Sequence, residues 1–318
     1  MVVYPLSGYV NRLQAMASSA LIAKELDRRL VVCWEPDTAA PAAPDALFAP
    51  EWLDATFAGG DEIRDTWHID RASIEPYLRQ GPDAIVLAGR DRGEQVFMPE
   101  LRATLADTPD VPAIVFEAGG KFALGGDATL SAEQATAFRQ ARGDFYRSLP
   151  MSSAIEESVA HAVADRGSFI GLHLRYRDRS GQAPLRRAIA PALQRVAERT
   201  GLSSVFVASD TPSERDAGLA TCEKLGLHAW TVDPGEFTRD DPRSALGALV
   251  DWRILGHSSG MVSFGESSFA EEAAVASGHW DDSIGLSAST AQGVLVKVRE
   301  YATAAVTYPR RHGWLGKP

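Results

Sequence analysis

Short apolar runs alternate with longer amphipathic segments along much of the chain. Runs at residues 2–4, 84–87 and 113–117 are short and continuously apolar, which predicts buried strands. Between residues 11 and 27 the apolar positions follow a helical period, and the run at 30–34 predicts a further strand. The first part of the chain is therefore predicted to open with a strand, a glycine-containing loop, a helix and a second, parallel strand.

The second part repeats this alternation more regularly. Its predicted helices cover residues 152–165, 185–200 and 245–255. One further helix is predicted to begin near Pro212, and another to end near Gly278. The predicted strands are at 169–174, 204–208, 228–232 and 261–264. Strands that alternate with helices indicate an α/β fold with mostly parallel sheets. Since single cores rarely exceed about 250–300 residues, the 318-residue chain is expected to form two domains, 1–150 and 151–318.

Composition and charge exclude several classes of protein. The net charge of −10 argues against sequence-independent nucleic-acid binding, which needs a basic face. Cys33 and Cys222 cannot build a disulfide framework or a Cys/His metal site, and no apolar run is long enough for a membrane span. With no basic, apolar leader at the N-terminus, we expect a cytoplasmic protein. Scarce lysine beside abundant arginine and alanine suggests a GC-rich bacterial genome.

The most informative local sequence is His173-Leu174-Arg175-Tyr176-Arg177-Asp178, at the end of a predicted strand. In open α/β sheets, ligands bind beyond that end of the strands. Arginine presents a planar fork that matches phosphate oxygens. A diphosphate could therefore be held without a metal by Arg175, Arg177, Arg179 and His173. The alternative is a charged loop exposed to solvent, which would show the same local sequence.

A second candidate site follows the strand at 261–264, where Gly265-Glu266-Ser267-Ser268-Phe269 leads into a helix. Backbone N–H groups at a helix N-terminus bind anions, and serine hydroxyls add further hydrogen-bonding groups. A purely structural role is also open, because Ser267 or Ser268 is a suitable N-cap and Glu271 would complete a capping box with Ser268. The two roles do not exclude each other.

Two weaker candidates also follow predicted strands. Gly8 and Asn11 lie in the loop that opens the first helix, where a glycine lets a ligand approach the backbone. Asp210 follows the strand at 204–208, where it would either cap the helix beginning at Pro212 or reach a nucleotide ribose or base.

Several catalytic motifs are absent from the sequence. There is no Walker A motif and no HExxH. No two aspartates are two residues apart, so the DxD pair of many metal-dependent glycosyltransferases is missing as well. We therefore expect neither a metal nor any other cofactor.

Together, these segments resemble the fucosyltransferase superfamily that contains the bacterial nodulation α-1,6-fucosyltransferase and the eukaryotic protein O-fucosyltransferases. The loop from Gly8 to Leu13, with the run 29–34, is similar to the family's N-terminal region. His173-x-Arg175-x-x-Asp178 resembles its most characteristic motif. Asp251 and the sequence Ser263-x-x-x-Ser267-Ser268-Phe269 are similar to its two later motifs. The resemblance extends to about residue 277 and is sparse between these blocks.

The resemblance implies a GT-B fold, in which two Rossmann-like domains face each other across a cleft. It also implies a GDP-sugar donor, usually GDP-fucose, held mainly by the C-terminal domain, and inverting transfer without metal. Arg175 matches the arginine expected at the β-phosphate and the glycosidic oxygen. His173 and Asp178 match nucleotide-side positions, and Ser267, Ser268 and Phe269 match the phosphate-binding turn.

The acceptor and the general base are not defined by these motifs. The loop at residues 5–14 holds no carboxylate, which leaves Glu35 and Asp37, beyond the second strand, as possible bases. The compact chain favours a soluble enzyme with a small-molecule or glycan acceptor. Two alternatives stay open: a nucleotide-sugar-binding protein without transferase activity, and a GT-B transferase that uses another nucleotide sugar.

Overall fold

The structure is a computed structural model of the 318-residue chain. It describes residues 1–59, 77–80, 83–88, 104–107, 110–122, 131–175, 186–232, 242–264, 267–288 and 296–300. Arg177 and Asp178 lie outside the described residues, as do Gly265 and Glu266.

The first sheet has five strands in the order β2-β1-β5-β4-β3. Its strands are β1 (Val2–Pro5), β2 (Val31–Val32), β3 (Tyr77–Gln80), β4 (Ala84–Ala88) and β5 (Ala113–Ala118). All neighbours are parallel except β3 and β4. Every residue of β5 is buried, as expected for a parallel strand covered on both faces.

The second sheet has six strands in the order β11-β10-β9-β6-β7-β8. These are β6 (Ile170–Leu174), β7 (Ser204–Ser209), β8 (His228–Trp230), β9 (Met261–Phe264), β10 (Ile284–Ala288) and β11 (Val296–Glu300). Only the pair β10–β11 is antiparallel. The prediction of α/β layers with mostly parallel sheets is confirmed.

Helices connect the strands and cover the sheets. The labelled helices are α1 (Tyr9–Glu25), α2 (Pro44–Leu47), α3 (Pro50–Thr56), α4 (Ala132–Ser148), α5 (Ser153–Val163), α6 (Arg186–Thr200), α7 (Pro212–Lys224), α8 (Pro242–Leu255) and α9 (Ser268–Ser277). Helix α4 begins with a complete capping box, in which Ser131 and Gln134 exchange hydrogen bonds. Helix α9 ends at Gly278, whose φ of 75° is the left-handed conformation that glycine adopts without strain. In the described part of the chain, no helix combines the length and the apolar character that crossing a membrane requires.

The helices α1, α4 and α9 pack against one another and join the elements of the two sheets. Helices α4 and α9 approach closely at Gly143 of α4, where a Cβ atom would lie 2.7 Å from the carbonyl oxygen of Val275 in α9. Only glycine allows this contact, so the position of α9 is closely defined by α4.

Several predicted boundaries were wrong in detail. The strand at 30–34 is only Val31–Val32, because the chain then turns away and Trp34 packs against Tyr9 and Phe48. The first helix begins at Tyr9 rather than Asn11, and β8 ends at Trp230. The sequence patterns also missed α4 and the last two strands of the second sheet.

Candidate active site

The strand order of the second sheet creates a crevice at the carboxyl ends of β6 and β9. From β6 the chain continues to β7 and β8 on one side, and then returns to β9 on the other side of β6. Such a reversal of direction leaves space between the two connections, which is where ligands bind in open α/β sheets. His173 lies at this point, paired with Ser263 of β9 and followed by Arg175 just beyond the end of β6.

His173 is buried in the crevice and is only 5 % exposed. Its ring stacks on Phe269 of α9, with centroids 4.8 Å apart and planes inclined by 20°. Nδ1 has no hydrogen-bond partner among the residues that the structure describes. Burial, assisted by the positive charge of Arg175, lowers the pKa of His173 from 6.5 to about 3. The imidazole is therefore neutral at neutral pH.

The N-terminus of α9 opens into the same crevice. Ser267 is the N-cap residue, is 4 % exposed and makes no side-chain capping bond. Its Oγ atom has no partner among the described residues. The predicted capping box between Ser268 and Glu271 is wrong, because Ser268 is already the first helical residue and Glu271 forms an ion pair with Lys121. Helix capping therefore does not account for the Ser267 hydroxyl.

Asp251 of α8 faces β6 on the same side of the sheet. The lack of a side chain at Gly171 lets Leu255 of α8 pack on β6, with the leucine Cδ2 2.9 Å from where a Cβ atom would lie. One turn back along α8 is about 6 Å, and two residues forward along β6 is about 6.6 Å. Since helix and strand run in opposite directions, Asp251, which precedes Leu255 by about one turn, lies towards the carboxyl end of β6.

Asp251 carries a buried carboxyl group with an unusual environment. It is 7 % exposed, and Oδ1 has no hydrogen-bond partner in the described part of the chain. Burial raises the pKa of Asp251 well above its ordinary value, against the opposing effect of the positive charge of Arg215. A buried carboxyl oxygen without a partner is costly, so Asp251 is a candidate to meet a ligand.

Asp210 lies at the end of β7, the strand next to β6 on the side away from β9. Its backbone N–H donates to the carbonyl oxygen of Leu174 over 3.4 Å, which holds the two strand ends side by side. Asp210 does not cap α7: Thr211 is the N-cap, and its hydroxyl accepts from the N–H of Glu214. Pro212, at the first helical position, fixes the cap at the residue before it.

Gly8 and Asn11 lie at the start of α1, directly after the loop that follows β1. Gly8 is the N-cap residue, and a Cβ atom there would meet nothing within 4 Å, so packing does not require the glycine. Ser7 has a φ of 71°, an uncommon value for a residue with a side chain, and accepts a hydrogen bond on Oγ from the Asn11 amide at 3.1 Å. Buried Arg12 fixes this conformation by donating to the Ser7 carbonyl at 2.9 Å.

The two possible bases lie beyond β2 and next to Arg12. The carboxylate of Asp37 pairs with the Arg12 guanidinium at 2.8 Å. Its other oxygen accepts the N–H groups of Ala39 and Ala40, so the carboxylate already supports a turn. The backbone carbonyl of Glu35 also accepts a bond from Arg12, at 2.6 Å. Sequence analysis overlooked Arg12, whose position on the buried side of an otherwise apolar helix was the available signal.

The loops that open α1 and α9 are brought together by a buried hydrogen bond. Gln14 of α1 donates to Glu272 of α9 over 2.8 Å, although the two residues are 258 positions apart in sequence. Each partner lies about one turn after the start of its helix. The bond therefore ties the start of α1, which carries Gly8 and Asn11, to the start of α9, which carries Ser267.

A cavity of about 910 Å³ lies on another side of α8, against α5. Trp230 and Thr231 line it from the end of β8, and Leu246 and Val250 line it from α8. None of the described residues predicted for the site contributes to its walls. In the described part of the chain, no three His, Cys, Asp or Glu residues are placed to hold a metal ion.

No family model matches the chain, and no curated protein matches it. Solved structures do match. A point mutant of Arabidopsis thaliana FUT1 in complex with GDP has a TM-score of 0.62 and 16% identity, covering 90% of this chain and 70% of that one. NodZ, an α-1,6-fucosyltransferase known from Bradyrhizobium, matches as its GDP co-crystal with a TM-score of 0.53 and 18% identity, covering 86% and 90%. The chain has the GT-B fucosyltransferase fold.

Apo POFUT1 matches in the same way, with a TM-score of 0.52 and 15% identity over 87% of this chain and 94% of that one. The predicted fold class is therefore confirmed. At these identities the likeness establishes the fold, and the chemistry has to be argued from the residues in the crevice.

Proposed function

We propose that the chain is a metal-independent inverting glycosyltransferase that uses a GDP-sugar, with GDP-fucose as the first donor to test. One observation carries the proposal. Three buried polar atoms have no described partner: Nδ1 of His173 and Oγ of Ser267, at the carboxyl ends of β6 and β9, and Oδ1 of Asp251 on α8, whose Leu255 packs on β6. Folded proteins rarely leave such atoms unpaired, so a polar ligand is expected to satisfy them. The matched FUT1 and NodZ structures contain GDP, which fits a nucleotide in this place.

The N-terminus of α9 is the proposed diphosphate site. The free N–H groups of its first turn and the positive end of its dipole favour an anion, and the Ser267 hydroxyl can donate to a phosphate oxygen. Arg175, at the end of β6, supplies the cation. We assign His173 and Asp251 to the nucleoside side of the same crevice, with Phe269, Ser268 and Asp210 around them.

A guanine base would explain the buried carboxyl group of Asp251. The Watson–Crick edge of guanine carries two adjacent donors, and an ionised carboxylate accepts two hydrogen bonds. Uracil does not offer such a pair of donors. Binding would restore the charge of Asp251 by giving it partners, which reverses the effect of burial on its pKa.

The proposed reaction is a single displacement at the anomeric carbon of the donor. The acceptor hydroxyl attacks from the face opposite GDP, and the bond from the anomeric carbon to the β-phosphate oxygen breaks with its electrons passing to the diphosphate. Arg175 is the proposed catalytic residue, because a preorganised donor aimed at that oxygen stabilises the developing charge by about 3–4 kcal/mol. The acceptor proton needs a base, and Glu35 and Asp37 both stay predictions. Of the two, Asp37 would first have to give up its bond with Arg12.

We further propose that residues 1–150 form the acceptor-side domain and residues 151–318 the donor-side domain. Most of the residues predicted to bind the donor lie between positions 173 and 269, with Gly8 and Asn11 as the donor-binding candidates of the first domain, and both possible bases precede position 38. The acceptor would enter from the side of the loop after β1. Its proposed class is a small molecule or a glycan.

Two assays test the proposal. GDP should raise the melting temperature in the presence of EDTA, by an amount equivalent to about 2.7 kcal/mol at 100 times its Kd, and UDP should raise it less. GDP-fucose should then be hydrolysed slowly to GDP and fucose even without an acceptor. A preference for UDP or ADP would point to a transferase with another donor, and GDP binding without any turnover would point to a binding protein. Loss of GDP binding on chelation would overturn the metal-free reading.

A further inference from the structure

A completely buried carboxylate lies about one helical turn behind the proposed phosphate site. Glu272 of α9 is 0 % exposed. Its Oε2 accepts Arg142 Nε at 3.0 Å, and its Oε1 accepts Arg142 Nη2 at 3.2 Å and Gln14 Nε2 at 2.8 Å. Lys121, which follows β5, lies 3.7 Å from Oε1 and pairs with the neighbouring Glu271. We call Gln14, Lys121, Arg142 and Glu272 the Glu272 cluster.

The Glu272 cluster joins elements that carry the two sides of the crevice. Glu272 follows Ser268 by four residues on α9, so the two share one face of that helix. Gln14 follows Asn11 by three residues on α1 and shares a face with it in the same way. Measured along the helix axes, Gln14 is therefore about 4.5 Å from Asn11, and Glu272 is about 6 Å from Ser268. Lys121 adds a tie from the end of β5, the strand next to β1.

The charge on Glu272 is permanent in the working range of pH. Burial alone would raise the pKa of this carboxyl group, but the charges of Arg142 and Lys121 and the hydrogen bond from Gln14 outweigh it and lower the pKa to about 2. The positive charges of Lys121 and Arg142 balance the two carboxylates, Glu272 of the cluster and its neighbour Glu271. The cluster acts as a fixed connection and not as a pH switch.

Stability alone does not account well for such a cluster. Buried ion pairs are often replaced by apolar residues without loss of stability, because removing charges from water costs about as much as their attraction returns. The ionic arrangement adds a defined orientation and spacing. The side-on contact of Arg142 fixes the plane of the Glu272 carboxylate, and the Gln14 amide fixes the distance between α1 and α9. A fixed orientation and spacing is useful where reacting groups from two parts of a chain must meet.

We propose that Glu272 is a positioning residue for sugar transfer, which holds the phosphate-binding turn of α9 at a set distance from the loop containing Gly8 and Asn11. The inference rests on the proposed function. A small displacement of the start of α1 would leave donor binding largely intact, because most of the proposed donor contacts belong to the second sheet and α9. It would lower the rate of the chemical step, which is sensitive to misplacements of about 1 Å.

Gln14→Met is the informative variant. It removes the bond between α1 and α9 and keeps a similar volume, while Glu272 keeps Arg142 and no buried charge loses its partner. Substitution of Glu272 itself is less useful, since it would leave Arg142 buried without its counter-charge. Arg147→Met is the matched control: Arg147 Nη1 donates to the Ala276 carbonyl at 2.8 Å and ties α4 to the far end of α9.

The assay is GDP release from GDP-fucose with water as the acceptor, alongside GDP affinity by calorimetry. For Gln14→Met, kcat is expected to fall about tenfold, while the KM for GDP-fucose and the Kd for GDP change less than about twofold. Arg147→Met should leave all three values unchanged.

An unchanged kcat in Gln14→Met would overturn the inference. A parallel loss of kcat, GDP affinity and melting temperature would overturn it too, because that pattern marks a purely structural role. If the unmodified chain neither binds GDP nor releases it from GDP-fucose, the proposed function fails and this inference fails with it. Turnover by the unmodified chain with an unaffected variant would refute the positioning role alone.

Discussion

Replacing Ser267 by alanine should stabilise the free protein and weaken GDP binding. The Ser267 hydroxyl is buried at 4 % exposure without a described partner, so the folded state bears its desolvation penalty. That penalty is about 1–3 kcal/mol for a buried, unpaired polar group. After a deduction for lost van der Waals contacts, we expect a gain of about 1 kcal/mol, which corresponds to a rise in melting temperature of about 2–4 °C.

The expected effect on GDP has the opposite sign. A hydrogen bond from the hydroxyl to a charged phosphate contributes about 1.5–3 kcal/mol, so the Kd for GDP should rise at least about tenfold. The other donors at the start of α9 are backbone N–H groups and survive the substitution, so binding should be weakened and not abolished. Urea denaturation and calorimetry with GDP measure the two effects separately.

Ser258→Ala is a matched control on the same sheet. Ser258 is 1 % exposed, and its hydroxyl donates to the Leu255 carbonyl at 2.7 Å. It lies at the amino end of β6, next to Phe169, and so at the opposite edge from the crevice. This change should cost about 1 kcal/mol of stability and leave GDP affinity as it was. If Ser267→Ala behaves like the control in both respects, the hydroxyl is structural and the proposed phosphate site is wrong.

Three further predictions concern the same crevice and its support. His173 should keep the nitrogen and carbon NMR shifts of a neutral imidazole from pH 8 to pH 5, because burial lowers its pKa to about 3; a titration midpoint near 6.5 would contradict this. Arg175→Ala should lower kcat more than GDP affinity, and Arg175→Lys should not restore it, since lysine keeps the charge but loses the fork; near-normal turnover in either variant would refute the role. The Glu272 pKa is depressed in the folded state from 4.5 to about 2, so its contribution to stability is complete above pH 4.5 and is lost as the pH falls towards 2. The stability difference between the unmodified chain and Glu272→Gln, from urea denaturation, should shrink by about 3 kcal/mol over that interval, and a difference independent of pH would contradict it.

The sequence predicted the strands of the crevice because they are completely buried. Runs such as β6 and β9 are buried at every position and apolar except at His173 and Ser263, and a parallel strand covered on both faces has few alternatives. Polar residues directly after such strands are then brought to one edge by the topology. This is why His173, Arg175 and Ser267 could be assigned to one region before any coordinates were known.

Contacts between distant parts of the chain could not be predicted in this way. Glu272 stands among the alanines of α9, and Gln14 stands in an apolar part of α1; nothing local pairs one with the other across 258 positions. A charged residue on an otherwise apolar helix face does indicate a buried partner, but not which one. Local rules failed similarly at Asp210, where Thr211 is the better placed N-cap once Pro212 begins the helix.

Helix α9 carries one buried polar group without a described partner and one with several partners, about one and a half turns apart. At its start the Ser267 hydroxyl lacks a described partner, whereas the carboxylate of Glu272 receives hydrogen bonds on both oxygens. An unsatisfied group can persist only where its surroundings prevent the local rearrangement that would relieve it. Because the Glu272 cluster and the close contact at Gly143 fix the helix, its first turn cannot move to relieve Ser267. Under the proposed function, the crevice would be held ready for an anion before one arrives, and less reorganisation would be needed when charge develops on the leaving diphosphate.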